Sequence, residues 1–415
     1  MNRLIERCAF LDVHKSAVTA CVRVPDGTGG RRQDVREFCT TTAGLITLAD
    51  WLRSWAVTVV GMESTGVYWR AIYYLLEDEF ECRLFNARHL RHVPGRKSDV
   101  QDAEWGCQLI EHGLIRESFV PPRPQRELRD LVRYRKAKIQ ERAREVQRVE
   151  KTLQDAGIKL SSVASKVLGV SARKMLDALI SGTHDPDVLA DLAKGTLRRK
   201  IPALREALQG RFTGHHALLI GQMLAQIDFL DETIHTLSER VEELTRPFSR
   251  EITLLDSIPG VDKRAAEMLL AEIGPDMSRF PTDAHLASWG GMCPGQRESA
   301  GKKHSAATRK GSKWLRGTLT ECAKAVVRTK GTYLSARYHR IKSRRGHAKA
   351  TVATAHKILT AAYHVLKQGI AYHELGEEFF YRRDAENTQR YRRRLIRQLE
   401  RLGHTVTLDA APQPA

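Results

Sequence analysis

Cys8-Ala9-Phe10-Leu11-Asp12-Val13-His14 is a short apolar run with one carboxylate inside it. Its length and composition predict a buried strand. A lone acid in such a strand is costly to bury unless it is paired or liganded. Working outward, Ala17-Val18-Thr19-Ala20-Cys21-Val22-Arg23-Val24 predicts a second strand, and Pro25-Asp26-Gly27 begins a turn. Val35-Arg36-Glu37-Phe38-Cys39 predicts a third strand. Leu45, Leu48 and Leu52 give 44–55 helical spacing. Val57-Thr58-Val59-Val60-Gly61-Met62-Glu63 is a further β-rich run that closes on an acid. A helix over 67–77 and a fifth strand at Cys82-Arg83-Leu84-Phe85-Asn86 follow. Next comes Gly95-Arg96-Lys97-Ser98-Asp99-Val100-Gln101-Asp102-Ala103. In a helix starting near Ser98, Asp99 and Asp102 share one face. Like charges held that close call for a cation, and hard divalent cations take oxygen ligands. The ordinary alternative is a helix start capped by Ser98, with acids placed favourably in its first turn.

The order β-β-β-α-β-α-β-α is that of an RNase-H-like domain. There an acid of the first strand, an acid ending the fourth and acids of a later helix meet over the sheet. Asp12, Glu63, Asp99 and Asp102 stand at those places. Four converging carboxylates hold two metals about 4 Å apart, an arrangement suited to phosphodiester chemistry. The expected cofactor is Mg²⁺ or Mn²⁺. Lys97 reads either as a phosphate contact or as a solvent-exposed loop lysine.

The whole chain of 415 residues carries a formal net charge of +19. Residues 301–350 hold fifteen Lys and Arg against one acid, Glu321, a local net charge of +14. A solvated helix face mixes signs, so this density points to a polyanion, with nucleic acid the first choice. No apolar run approaches the roughly 20 residues of a membrane span. The first residues lack the apolar core of a signal peptide. Seven scattered cysteines without a Cys-x-x-Cys pair argue against a zinc ribbon or a disulfide framework. These features predict a cytoplasmic, nucleoid-associated protein with no membrane partner.

Pro121-Pro122-Arg123-Pro124 is a stiff break, after which the chain turns polar and helical. Val132, Ile139, Val146, Val149 and Leu153 trace one seam. Met223, Ile227, Leu230, Ile234, Leu237, Val241 and Leu244 trace a second at heptad spacing. Either the seams pack on each other as a hairpin, or they form a dimerising coiled coil. Short helices are predicted at 160–168, 172–180, 186–193 and 201–208. Lys194, Arg198, Arg199 and Lys200 read as a solvated basic turn or a nucleic-acid contact. Ile258-Pro259-Gly260-Val261, set between two apolar helices, suggests a helix-hairpin-helix, whose turn suits a phosphate. A plain helical hairpin is the alternative. Further on, Ser299 lies in a basic, small-residue stretch with Arg297, Lys302, Lys303 and Arg309. Composition reads this as a flexible basic loop with an incidental serine, and Ser305 stands nearby. A helix over 346–369, an Arg-rich helix over 381–401 and a short strand at 403–408 complete the chain.

Three stretches resemble the acidic motifs of the DEDD insertion-sequence transposases. They are Phe10-Leu11-Asp12-Val13-His14-Lys15, Met62-Glu63-Ser64-Thr65-Gly66-Val67-Tyr68-Trp69 and Lys97-Ser98-Asp99-Val100-Gln101-Asp102-Ala103. Four others resemble that family's transposase domain. They are Pro259-Gly260-Val261, Ala287-Ser288-Trp289-Gly290-Gly291-Met292-Cys293-Pro294, Glu298-Ser299-Ala300-Gly301-Lys302 and Thr308-Arg309-Lys310-Gly311-Ser312-Lys313-Trp314-Leu315-Arg316. The resemblance implies a RuvC-like metal domain at 1–120 and a helical coiled-coil oligomerisation region at 121–250. It further implies a mainly α-helical serine transposase domain with a helix-hairpin-helix at 251–375, then a basic tail at 376–415. It makes Asp12, Glu63, Asp99 and Asp102 metal ligands, and Ser299 the residue that attacks DNA through a phosphoserine. Lys97, Arg297, Lys302, Lys303, Arg309, Lys310, Lys313 and Arg316 become nucleic-acid contacts. Implied partners are donor and target DNA, a bridge RNA as guide, and copies of the chain as a dimer and synaptic tetramer. Two rival readings remain: a metal-dependent junction nuclease without a covalent intermediate, and a non-catalytic nucleic-acid-binding assembly protein.

Overall fold

The computed structural model describes residues 4–64, 66–86, 99–115, 117–295, 298–299, 301–303, 308–402 and 406. The chain divides into two compact units, Met1–Pro121 and Pro122–Ala415. Lys97, Ser98, Arg297 and Ser305 lie outside the described residues, as does all of the strand expected at 403–408 except residue 406.

The first unit is built on a six-stranded mixed sheet. Its strands are β1 (Cys8–Val13), β2 (Ala17–Pro25), β3 (Arg31–Cys39), β4 (Val59–Glu63), β5 (Glu81–Phe85) and β6 (Glu117–Ser118), in the spatial order β3-β2-β1-β4-β5-β6. β1 runs antiparallel to β2 and parallel to β4, and β4 runs parallel to β5. The third strand is longer than its apolar part suggested. It spans nine residues and pairs along the whole of β2, because backbone pairing does not require apolar side chains on an edge. β6 pairs with β5 through two residues and carries no pattern of its own.

Side chains alternate across β1, so the strand serves two cores. Ala9, Leu11 and Val13 pack with α1 (Thr42–Ser54) and α2 (Trp69–Leu76). Cys8 and Phe10 point the other way, against α3 (Asp99–Glu111). Ala103, Gly106, Cys107 and Ile110 are the buried stripe of α3, at the three- and four-residue spacing of a helix face. Asp99 and Asp102 continue that stripe toward the helix N-terminus. Gly106 lies against Phe10, and a Cβ placed there would stand 2.3 Å from the Phe10 ring. Gly106→Ala is therefore expected to destabilise the protein by about 1–3 kcal/mol, the range for overpacking a close contact. Urea unfolding of the variant measures it. At the far end of α3, buried Glu111 takes Arg23 at 3.0 Å and Arg31 at 3.2 Å.

The second unit is mostly helical. Two long helices, α4 (Arg123–Asp155) and α9 (Gly214–Thr245), lie antiparallel. Leu128 and Val132 of α4 meet Val241 of α9 at one end, while Val149 and Leu153 share a core with Ile220, Leu224 and Ile227 at the other. The two seams thus pack on each other within one chain. Between them, in sequence, stand α5 (Leu160–Val163), α6 (Val170–Ile180), α7 (Pro186–Asp191), a 3₁₀ turn (Gly195–Lys200) and α8 (Ile201–Ala207), which roof one end of the pair.

The rest packs around α10 (Ser249–Asp256), α11 (Lys263–Ile273), α12 (Asp283–Trp289), α13 (Lys313–Val326), α14 (Tyr333–Arg345) and α15 (His347–Gln368). α16 (Phe379–Arg401) follows them. The α10–α11 turn contains Gly260 at φ +84. A Cβ there would lie 2.6 Å from the Cys322 carbonyl oxygen, so the turn is pressed onto α13. Buried ion pairs tie this unit together. Arg135 of α4 meets Glu267 of α11 at 2.5 Å, and Arg133 forks onto Glu272 at 2.7 and 3.0 Å. Ser312 caps α13 and donates its hydroxyl to the same Glu272 at 2.9 Å.

Candidate metal centre and serine hairpin

Parallel pairing of β1 with β4 sets Leu11 beside Met62. The next residues, Asp12 and Glu63, therefore stand side by side at the C-terminal ends of adjacent strands. α3 begins over the same edge with Asp99 and Asp102 in its first turn. Just beyond β1, the Nε2 atom of His14 lies 3.3 Å from an oxygen of Asp12 and 3.3 Å from an oxygen of Asp99. One donor atom from each of Asp12, His14 and Asp99 falls within 4.8 Å of the others. Asp12 is buried, Glu63 is half-buried, and His14, Asp99 and Asp102 are exposed.

The electrostatics of Asp12 tie the carboxylates together. Burial raises its carboxyl above the ordinary value of 3.8, His14 opposes that rise, and Glu63, Asp99 and Asp102 add to it. A buried acid repelled by three others is a poor solvated surface and a good cation ligand. The donor set of carboxylates with one imidazole fits a divalent metal. In the sequence, His14 reads as the end of the first strand, with no role of its own. Its spacing of two from Asp12 was the available signal.

The raised value has a consequence for stability. A folded-state carboxyl above its unfolded value favours folding only while protonated. Its full contribution is present below 3.8, is lost as pH rises through the raised value, and stays lost at neutral pH. Asp12→Asn is expected to raise the melting temperature of metal-free protein at neutral pH and to leave it unchanged below 3.8. Added Mg²⁺ should raise the melting temperature of the wild type more than that of the variant. Thermal melts across pH, with and without metal, read both effects.

Ser299 sits in a small hairpin of the second unit. β7 (Glu298–Ser299) pairs antiparallel with β8 (Lys302–Lys303), Ser299 opposite Lys302, and Gly301 has φ +74. The sequence suggested a flexible loop here. Instead, the two short strands pair through their backbones, with a left-handed glycine before the second. Pro294 and Thr308 bridge at the base of the hairpin. Below that bridge, a Cβ on Gly311 would stand 2.4 Å from the Gly290 carbonyl oxygen, so the two chain segments cross at a glycine neck. Arg309 donates to the Ser288 hydroxyl at 3.1 Å, and Arg316 to the Thr308 hydroxyl at 2.6 Å. Lys310 and Lys313 are exposed beside the neck, the latter over the Trp314 ring at 5.2 Å.

Comparison with known proteins gives two family matches along the chain. Residues 11–158 match the model of DEDD transposases of the IS110 type, and residues 252–339 match a model described as transposase, IS116/IS110/IS902 family. The chain is similar to the "Insertion element IS110 uncharacterized 43.6 kDa protein" of Streptomyces coelicolor, 28% identical over 204 residues. That match covers 48% of this chain and 44% of the relative. It is 27% identical over 327 residues to "Putative transposase y4pF/y4sB" of Sinorhizobium fredii, covering 76% of this chain and 75% of the relative. The "Pilin gene-inverting protein" of Moraxella bovis is 29% identical over 155 residues, 34% of this chain and 47% of the relative. Among the described residues, no helix is long and apolar enough to cross a membrane.

Proposed function

Since the chain belongs to the IS116/IS110/IS902 family of transposases, we propose that it is a DNA recombinase of an insertion sequence that cuts and rejoins strands through Ser299. The observation that carries this reading is the donor set of Asp12, His14 and Asp99, at the strand-end edge where Glu63 and Asp102 also stand. The strand order β3-β2-β1-β4-β5 with acids at those positions supports an RNase-H-like, RuvC-like first unit.

Asp12, Glu63, Asp99 and Asp102 would hold Mg²⁺ or Mn²⁺, with His14 beside them. When bound, the metal supplies positive charge for the phosphate oxygens and for the departing sugar oxygen. Ser299 is the nucleophile. Its oxygen forms a bond to phosphorus, the bond from phosphorus to a sugar oxygen breaks, and the serine proton is balanced by the one that oxygen takes up. Because one phosphodiester is exchanged for another, the bond is conserved and a second sugar hydroxyl can release the serine. The cations Arg297, Lys302, Lys303, Arg309, Lys310, Lys313 and Arg316 would receive the DNA backbone around that serine, and Lys97 would do so beside the acids.

The remaining parts of the reading rest on family likeness and charge. The α10–α11 turn is read as a helix-hairpin-helix, donor and target DNA as substrates, and a bridge RNA as the guide that selects them by base pairing. Copies of the chain would assemble as a dimer and then a synaptic tetramer. Because the α4–α9 seams are occupied by each other, that assembly would use the outer faces of the pair. Trapping a protein–DNA adduct on the element's own ends and mapping the modified residue tests the whole reading. An adduct at Ser299 that forms only with divalent metal is the expected result. Metal-dependent cleavage with no adduct would establish a junction nuclease instead.

A further inference from the structure

α14 carries Arg337, Arg340, Arg344 and Arg345 at spacings of three, seven and eight from the first, which places them along one helix face. The neighbouring face, with Leu334 and Tyr338, is buried. The arginine face looks onto α16, which adds Arg383 and Phe380. Together with Ile341 these side chains line a cavity of about 200 Å³. Phe380 is buried, stacks on Tyr333 with centroids 5.2 Å apart, and has the guanidiniums of Arg340 at 5.2 Å and Arg383 at 5.1 Å over its ring.

The charge around this cavity is unbalanced. Among the described residues, Asp384 is the carboxylate that pairs with the cluster, meeting Arg340 at 2.6 Å and Arg383 at 3.7 Å. Against it stand five guanidiniums, and the buried Nε of Arg337 has no hydrogen-bond partner. A structural ion-pair network would supply acids in proportion. Cations crowded like this repel one another until an anion joins them. Guanidiniums match the oxygens of a phosphate with paired N–H donors. The cavity admits a phosphate group but not a folded protein element.

We infer that the cavity between α14 and α16 is a phosphodiester-binding subsite, which clamps the backbone of a nucleic-acid strand apart from the Ser299 hairpin. The inference rests on the nucleic-acid reading above and adds a second anchoring point to it. It requires neither the serine nor the acids.

The test is equilibrium binding of the full chain to a short single-stranded DNA and to the same sequence as RNA, across a salt series. The variants are Arg337→Gln with Arg344→Gln, the same pair changed to Lys, and a control, Arg328→Gln with Lys330→Gln. The control removes the same charge from the turn before α14. The Gln pair is expected to weaken binding about a hundredfold, about tenfold for each guanidinium removed from a charge-assisted hydrogen bond to phosphate. The slope of log affinity against log salt should fall by about two. The control should weaken binding much less. The Lys pair should keep most of the slope and lose affinity, because it keeps the charge without the fork. A greater loss on DNA or on RNA identifies the strand that is clamped. If the Gln pair matches the control on both strands while the wild type binds, the subsite is wrong and the recombinase reading stands. If the wild type binds neither strand, both fall. A melting temperature below that of the wild type for the Gln pair, without nucleic acid, would make the cluster structural and overturn the inference.

Discussion

Ser299→Ala is expected to eliminate the protein–DNA adduct and to lower strand exchange by on the order of 10⁴-fold or more, the scale on which loss of a nucleophile acts. The variant keeps the hairpin, since the pairing of Glu298–Ser299 with Lys302–Lys303 is made by the backbone. It keeps every cation around it, so DNA affinity should hardly change. The reading therefore demands a loss of chemistry without a loss of binding. A gel assay on DNA with the element's ends, run beside a binding titration, separates the two. Cleavage that survives in this variant would move the protein to the junction nucleases, where water attacks.

The second large effect is expected at the acids. Asp12→Ala or Asp99→Ala should each lower strand cleavage by at least about 10³-fold, as loss of a metal-held charge at a reacting phosphate does. Asp12 is buried between β2 and β4, whereas Asp99 is exposed at the start of α3. Asp99→Ala should therefore leave folding intact, and its loss of activity reads the chemistry alone. Isothermal titration with Mg²⁺ checks that the defect lies in metal binding. A protein that supports transposition in cells with Asp99→Ala and Asp102→Ala would be an assembly factor with a silent acid cluster.

Much of the first unit was legible because its rules are local. Apolar strands with one acid each, turns marked by Pro and Gly, and Leu spacing in 44–55 all act within a few residues. The match of Asp12 to Glu63 was readable from each acid's place in its own strand, and parallel pairing does the rest. What stayed hidden depends on distant partners. The first half of β3 is polar and is held only by its neighbour. The nearness of His14 to Asp99 is made by the docking of α3, not by any pattern between the two residues. The heptads of α9 fitted a partner helix from either source, since a seam records its spacing and not its mate. The pairing of Arg133 and Ser312 with Glu272 joins three elements far apart in the chain and leaves no trace in sequence.

The packing of Gly106 on Phe10 also bears on how such a gene can change as it is copied from place to place. Phe10 and Asp12 lie on one side of one strand, while Gly106, Asp102 and Asp99 lie along one side of one helix. The ring under the glycine thus acts as a gauge point from which both sets of acids are measured. Substitutions on the exposed face of α3 leave the gauge untouched. Losing or gaining one codon between Asp102 and Gly106 turns the acids by about 100° around the helix axis while the glycine stays seated. Lineages of this element should therefore vary on the exposed face of α3 and not at all in the length of this segment.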